Sequence, residues 1–186
     1  DEGSYGGRCG KDAIDSCDAL VANTRNVPIE EIEWHYPLRV ERYELNPEHV
    51  APGKWRGGLG IVRETRFLQD GTVTCEGDRH KEAPKGIFGG ADGASASMTK
   101  NPDSTNPISL ESKLSDEEFA AGDVLQIRTP CGGGYGNPFE RDPNKVLDDI
   151  LDDFTTLESA KTCYGVVIDP STMTVDMAAT QALRAN

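Results

Sequence analysis

A glycine-rich segment, CGGGYGNP at residues 131–138, leads directly into an amphipathic helical pattern, and this junction constrains the fold more than any other part of the chain. Asp142 is a favourable helix N-cap, Pro143 suits a first helical turn, and apolar residues recur at helical spacing over residues 146–157. Glycines leave backbone amides unobstructed, so such a turn can hold an anion or admit a second backbone at close range. The sequence alone favours neither use.

Alternation of apolar and polar side chains predicts a strand over residues 32–40, because a half-buried strand repeats every two residues. The alternation slips by one residue at Tyr43, which indicates a β-bulge. Pro37 lies inside the run and indicates an edge position or a break, since proline cannot donate a ladder hydrogen bond.

Further strands are predicted from short β-rich runs. Residues 61–67 and 72–76 are predicted to form a hairpin, because QDG at residues 69–71 supplies an Asp-Gly turn between them. Shorter strands are predicted at residues 124–129 and 164–168.

The remaining stretches complete the predicted architecture. Residues 84–122 are predicted to form loops, because glycine pairs and polar residues interrupt any periodicity, and a C-terminal helix is predicted over residues 175–184. We therefore expect an α+β fold, mainly antiparallel β with a helix near residues 143–157 and a C-terminal helix. Residues 1–28 are glycine-rich and then polar, so we expect an N-terminal arm that continues from a missing N-terminal part, followed by a single β-rich domain over residues 29–186.

The acidic composition argues against two classes of partner. The formal net charge is −13 at pH 7, whereas duplex nucleic acid and anionic membrane surfaces require concentrated positive charge. No apolar run approaches the roughly 20 residues of a membrane-spanning helix. The five cysteines are scattered without a C-x-x-C pair, which disfavours a zinc knuckle and predicts a reducing, cytoplasmic setting in which they serve as small buried hydrophobic residues.

Two polar segments can contact a substrate. Residues 23–30, NTRNVPIE, can orient an amide or carboxylate with Arg25 as the counter-ion, or can fix the loop before a strand. Residues 53–60, GKWRGGLG, offer Arg56 for a bidentate contact to an anion, although they lack the P-loop spacing and equally suit a tight turn. With the glycine turn, these segments give the candidate substrate-binding or interface residues: Asn23, Thr24, Arg25, Asn26, Arg56, Gly57, Gly58, Gly132, Gly133 and Gly134.

Local spacing predicts neither a catalytic residue nor a metal site. His35, His49 and His80 are too scattered to define a set of metal ligands. Cys131 precedes glycines, as a reactive thiol can, but no base is identifiable for it.

Six segments are informative as an ordered set. They are NTRNVPIE at 23–30, YPLRVERYEL at 36–45, PGKWRGGLG at 52–60, GIFGG at 86–90, TPCGGGYGNP at 129–138 and YGVVI at 164–168. Together they resemble the hydantoinase B/5-oxoprolinase family, specifically the C-terminal part of its large B-type subunit. No single segment is specific, whereas the set covers almost the whole chain.

The resemblance implies partners and cofactors outside this chain. It implies two partners: an A-type subunit that binds ATP and Mg²⁺, and an N-terminal part of the B-type subunit that holds a divalent metal ion. None of these cofactors is expected to bind this chain. Members of the family hydrolyse cyclic amides such as hydantoins and 5-oxoproline with ATP. A related branch carboxylates ketones such as acetone or acetophenone.

The resemblance also implies a role for the chain. We expect it to complete the active-site wall and the A–B interface of an ATP-dependent cyclic-amide hydrolase with a small-molecule substrate, and to be inactive alone. A part of a ketone carboxylase and a non-catalytic assembly module are the alternatives.

Overall fold

The computed structural model describes residues 2–17, 22 and 24–185, and its elements confirm the predicted α+β class. The helices are Ile29–His35 (α1), Pro143–Leu151 (α2), Leu157–Tyr164 (α3) and Met177–Arg184 (α4). The strands are Leu38–Leu45 (β1), Ile61–Phe67 (β2), Gly71–Glu76 (β3), Ser97–Lys100 (β4), Ile108–Leu110 (β5), Lys113–Phe119 (β6), Val124–Arg128 (β7), Ile168–Asp169 (β8) and Thr174–Val175 (β9). All paired strands among them are antiparallel.

The main sheet has five strands in the order β1-β2-β7-β4-β5. The strands predicted at residues 61–67 and 124–129 are confirmed as β2 and β7. Both lie inside the sheet, and Val62 of β2 is fully buried there. A register shift between Val40 and Arg42 confirms a bulge in β1, slightly before the predicted position. β1 begins just after Pro37 and forms one edge of the sheet.

The predicted hairpin between residues 61–67 and 72–76 is wrong. β2 already pairs with β1 and β7 on its two edges, so β3 leaves the main sheet and pairs with β6. The loops predicted over residues 84–122 are also wrong, since β4, β5 and β6 lie there. These strands are short or highly charged, as in KLSDEEF of β6, because strands with an exposed face need few apolar residues.

The first part of the strand predicted over residues 32–40 is α1 in the structure. Trp34 and Tyr36, whose alternation suggested burial, are 85% and 60% exposed. Glu30 and Glu31 lie in the first turn, where negative charge favours the positive end of the helix dipole. This local helix signal prevails over the alternation, and strand pairing starts only with β1.

The C-terminal helices carry a separate apolar core. α2 starts at the predicted cap, where the side chain of Asp142 accepts a hydrogen bond from the N–H of Asn144 at 2.9 Å. The helix predicted near residues 143–157 ends earlier, at Leu151, and α3 follows it; α4 confirms the C-terminal helix. The core residues are Val146, Ile150, Ala160, Tyr164, Val166 and Ile168. No helix in the described ranges has the length and apolar character to cross a membrane.

The strand predicted over residues 164–168 is mostly wrong. Tyr164 is the last residue of α3, and Gly165, at a φ of 62°, ends that helix in the left-handed conformation. Only Ile168–Asp169 pairs, with β9. A glycine directly after a helical run is the usual termination signal, and here it takes precedence over the β-branched residues that follow.

Candidate functional site

Four segments that contain glycine pack side by side and hydrogen-bond to one another. We call this arrangement the glycine layer, and it consists of residues 4–7, 51–60, 84–94 and 131–136. Trp55 and Tyr135 exchange two backbone hydrogen bonds, of 3.0 and 2.9 Å, and the N–H of Ile87 donates to the carbonyl of Gly134 at 3.0 Å. Segments that are distant in sequence therefore share one framework, with residues 131–136 at its centre.

The amides of Gly132 and Gly134 are used within the chain. The N–H of Gly132 donates to the carbonyl of Gly58 at 3.0 Å, and the N–H of Gly134 donates to the carbonyl of Ala91 at 2.9 Å. A Cβ atom on Gly132 or Gly57 would lie less than 3.0 Å from a backbone carbonyl oxygen, a separation that real Cβ atoms do not show. Of the two uses open at the sequence level, close backbone approach is the one these glycines show.

Two buried arginines and three carboxylates fasten the glycine layer to α2 and to the N-terminal segment. Arg56 contacts Asp15 at 2.8 Å (Nη1–Oδ1) and Asp149 at 3.1 Å (Nε–Oδ1). Arg141 contacts the second oxygen of Asp149 at 2.8 Å and Asp12 at 2.6 Å. Asp149 therefore bridges both arginines, and we call these five residues the arginine–aspartate network.

The charges of the network shift the pKa values of its members in different directions. Burial acts to lower the pKa of the Arg56 guanidinium, but the hydrogen bond and charge of Asp15 outweigh it and raise that pKa above its ordinary value. Burial acts to raise the pKa of Asp12, but Arg141 holds it below its ordinary value. Burial raises the pKa of Asp149 against the opposing effect of Arg141 and Arg56. The two arginines stay charged, and they are committed to carboxylates of their own chain.

The structure divides the predicted site residues into two places. Arg56 and the glycines at positions 57, 58 and 132–134 lie together in the glycine layer, where Arg56 is only 7% exposed. Thr24, Arg25 and Asn26 are exposed, and the amide of Asn26 donates a hydrogen bond to the hydroxyl of Tyr43. Asn23 lies outside the described residues. A substrate or interface role for all these residues stays a prediction.

Sequence reasoning missed the four other members of the network: Asp12, Asp15, Arg141 and Asp149. One of them carried a signal. Asp149 lies on the buried face of α2 with Val146 and Ile150, and a carboxylate in an apolar helical stripe requires a buried partner. Asp12 and Asp15 carried none, because a glycine-rich segment shows no periodicity that reveals which side chains point inward.

Cys131 is a buried structural thiol. Its Sγ accepts a hydrogen bond from the N–H of Gly60 at 3.3 Å, and burial raises the pKa of the thiol, which opposes the thiolate that a nucleophile requires. The expectation that all five cysteines are buried is wrong, since Cys9 is exposed and Cys17, Cys75 and Cys163 are half-buried.

Residues 2–138 match the family model described as Hydantoinase B/oxoprolinase. The chain belongs to the hydantoinase B/oxoprolinase family. Over 171 residues it is 55% identical to a protein of Pseudomonas sp. (strain NS671) that is provisionally named as the B-type subunit of a D-/L-hydantoinase, in an alignment that covers 91% of this chain and 29% of that protein. This hydantoinase B family chain thus spans less than a third of that relative.

Two solved structures share the fold of this hydantoinase B family chain. The crystal structure of ATP-dependent caprolactamase from Pseudomonas jessenii superimposes with a TM-score of 0.79 at 23% identity, over 99% of this chain and 33% of that one. The nucleotide-free structure of acetone carboxylase gives a TM-score of 0.76 at 22% identity, over 95% of this chain and 28% of that one.

Proposed function

We propose that this chain is part of the B-type subunit of an ATP-dependent hydrolase of cyclic amides, where it completes the active-site wall and the interface with an A-type subunit. The observation that carries the proposal is the 55% identity to the Pseudomonas hydantoinase protein across 91% of the chain. The glycine layer supports it, because backbone segments held by direct hydrogen bonds and buried ion pairs give a rigid surface on which a neighbouring part can be positioned.

The proposal assigns the cofactors to other parts of the enzyme. ATP and Mg²⁺ would bind the A-type subunit, and a divalent metal ion would bind the N-terminal part of the B-type subunit. Within the described ranges, no group of three or more His, Cys, Asp or Glu side chains is arranged to hold a metal ion. The amides of Gly132 and Gly134 donate to backbone carbonyls, so these residues do not fit a nucleotide phosphate either. In this proposal the chain supplies shape and hydrogen bonds.

A ketone carboxylase is the second candidate, and the fold shared with acetone carboxylase at a TM-score of 0.76 is compatible with it. The two reactions differ in their second substrate, because only the carboxylase consumes bicarbonate. In either enzyme the chain alone would act as an assembly module without turnover.

The test is ATP turnover by the native assembly, isolated from the source cells through a tag on this chain. We expect ADP release to rise with hydantoin or 5-oxoproline and to match the amount of ring-opened product. ATP consumption that requires both bicarbonate and acetone or acetophenone would establish the carboxylase instead. Turnover by this chain in the absence of any co-purifying protein would contradict the need for partners.

A further inference from the structure

A polar cavity of about 340 Å³ lies where β1 and β2 approach the N-terminal segment. Its volume falls in the lower part of the range for small-molecule sites, roughly 300–1,000 Å³. Residues from distant parts of the chain line it, including Ser16, Thr24, Asn26, Tyr43 and Ile61. Two of these, Thr24 and Asn26, belong to the polar segment that the sequence singled out.

The lining combines neutral hydrogen-bonding groups with an apolar side. The hydroxyls of Ser16, Thr24 and Tyr43 and the amide of Asn26 can each donate and accept a hydrogen bond. The side chain of Ile61 adds an apolar surface. A lactam or imide ring has the complementary composition, with adjacent N–H and C=O groups on one side and a hydrocarbon surface on the other.

Two contacts involve the polar pair Asn26 and Tyr43 of this cavity. The Nδ2 of Asn26 donates a hydrogen bond to the hydroxyl of Tyr43. Arg63, which is paired with Tyr43 across the β1–β2 ladder, places its guanidinium 5.4 Å from the centroid of the Tyr43 ring. The Tyr43 ring thus lies against the cation of the neighbouring strand, and its hydroxyl accepts a hydrogen bond from the amide of Asn26.

The charge of the cavity distinguishes between neutral and anionic ligands. The described residues that line it include no lysine or arginine, whereas Glu2 contributes a carboxylate. A ligand carboxylate would therefore face the carboxylate of Glu2, while Arg25 and Arg63 do not line the cavity. A neutral ring meets no such repulsion.

We propose that this cavity binds the uncharged ring of a cyclic amide substrate, with Asn26 and Tyr43 as its hydrogen-bonding residues. The inference rests on the proposed function and narrows it to neutral rings such as hydantoin, in preference to carboxylated rings such as 5-oxoproline.

Cys17 also lines the cavity and provides a direct readout of occupancy. In the native assembly, the rate at which a thiol reagent alkylates Cys17 is measured by mass spectrometry with and without hydantoin. Only the fraction of the protein with an unoccupied cavity reacts, so hydantoin at ten times its dissociation constant should slow the alkylation of Cys17 about tenfold. Cys9, which is exposed and does not line the cavity, is the internal control and should react at an unchanged rate. The same concentration of 5-oxoproline should leave Cys17 unprotected.

Matched asparagine variants test the assignment of the residues. Asn26→Ala should raise the hydantoin concentration needed for half-protection about fivefold, the effect of one lost hydrogen bond. Asn106→Ala removes an exposed asparagine between β4 and β5, at the opposite edge of the main sheet, and should leave that concentration unchanged. Tyr43→Phe should resemble Asn26→Ala. Slow alkylation of the buried Cys131 in every variant verifies that the fold is intact.

The outcomes separate this inference from the proposed function. Hydantoin-dependent ATP turnover without protection of Cys17 would overturn the cavity assignment and leave the function standing. Protection of Cys17 without turnover would support the cavity and contradict the function. Equal protection by hydantoin and 5-oxoproline would overturn the preference for a neutral ring.

Discussion

Arg141 donates two hydrogen bonds to one carboxylate oxygen of Asp149, from Nη2 at 2.8 Å and from Nε at 3.1 Å, and both side chains are less than one tenth exposed. Because Arg56 contacts the other oxygen of the same carboxylate, Asp149 joins α2 to the glycine layer. One side chain of α2 therefore links the two buried arginines of the network.

Asp149→Ala should lower the free energy of unfolding by about 3–5 kcal/mol, because it leaves two buried guanidinium groups without their shared carboxylate. Urea denaturation followed by circular dichroism measures the change. Asp148→Ala is the matched control, since Asp148 is the more exposed neighbour on the same helix, and it should stay within about 0.5 kcal/mol of the wild type. Equal losses from the two substitutions would contradict a special role for Asp149.

Gly133→Ala should lower the free energy of unfolding by about 1–3 kcal/mol through overpacking. Gly133 does not have a positive φ, but an added Cβ would lie less than 3.0 Å from the backbone carbonyl of Lys85. Gly71→Ala offers a comparison in β3, because its Cβ would make an ordinary contact with Phe67 at 3.4 Å. The unfolding midpoints of the two variants in urea measure the difference. A Gly133 variant as stable as the Gly71 variant would show that the close approach of the Lys85 backbone is not the reason for a glycine at position 133.

Sequence patterns predicted the parts of the fold whose signals are local. The cap at Asp142, the strands β2 and β7 and the C-terminal helix each follow from neighbouring residues. The pairing of β3 with β6 does not, because a turn signal at residues 69–71 shows where the chain reverses but not which edge is already occupied. α1 was missed since an alternating run that is exposed resembles one that is half-buried.

The sequence predicted which glycines belong to the candidate site, but not which charged residues pair there. The glycine segments are visible as composition, and the structure brings them together by backbone hydrogen bonds. The partners of Arg56 are 41 and 93 residues away in sequence, so no local pattern identifies them. The cavity beside Asn26 depends in the same way on Tyr43 and Ile61, which the fold alone brings next to it.

Asp142→Ala should cost about 1 kcal/mol of stability, because its side chain caps the first turn of α2 by accepting a hydrogen bond from the N–H of Asn144. Asp142→Asn should restore most of this loss, since an amide oxygen also accepts from the backbone. Thermal or urea unfolding of the three proteins provides the comparison. A loss of equal size in Asp142→Asn would show that the carboxylate charge, rather than the cap, is what stabilises the helix.

The unfolding free energy should fall as the pH rises above about 9, because burial raises the pKa of the Cys131 thiol above its ordinary value of 9.0 and also raises the pKa of Tyr164. Because the folded-state pKa of Cys131 lies above the unfolded-state value, the unfolded chain releases the thiol proton at a lower pH than the folded chain does. The stabilisation is therefore complete below pH 9.0 and is lost as the pH rises toward the folded-state pKa. Each such group contributes a slope of about −1.4 kcal/mol per pH unit. Cys131→Ala should flatten the decline between about pH 9 and 10 in urea titrations, whereas Cys9→Ala, which alters an exposed thiol, should keep the wild-type slope. Parallel curves for the wild type and Cys131→Ala would place the alkaline instability elsewhere in the molecule.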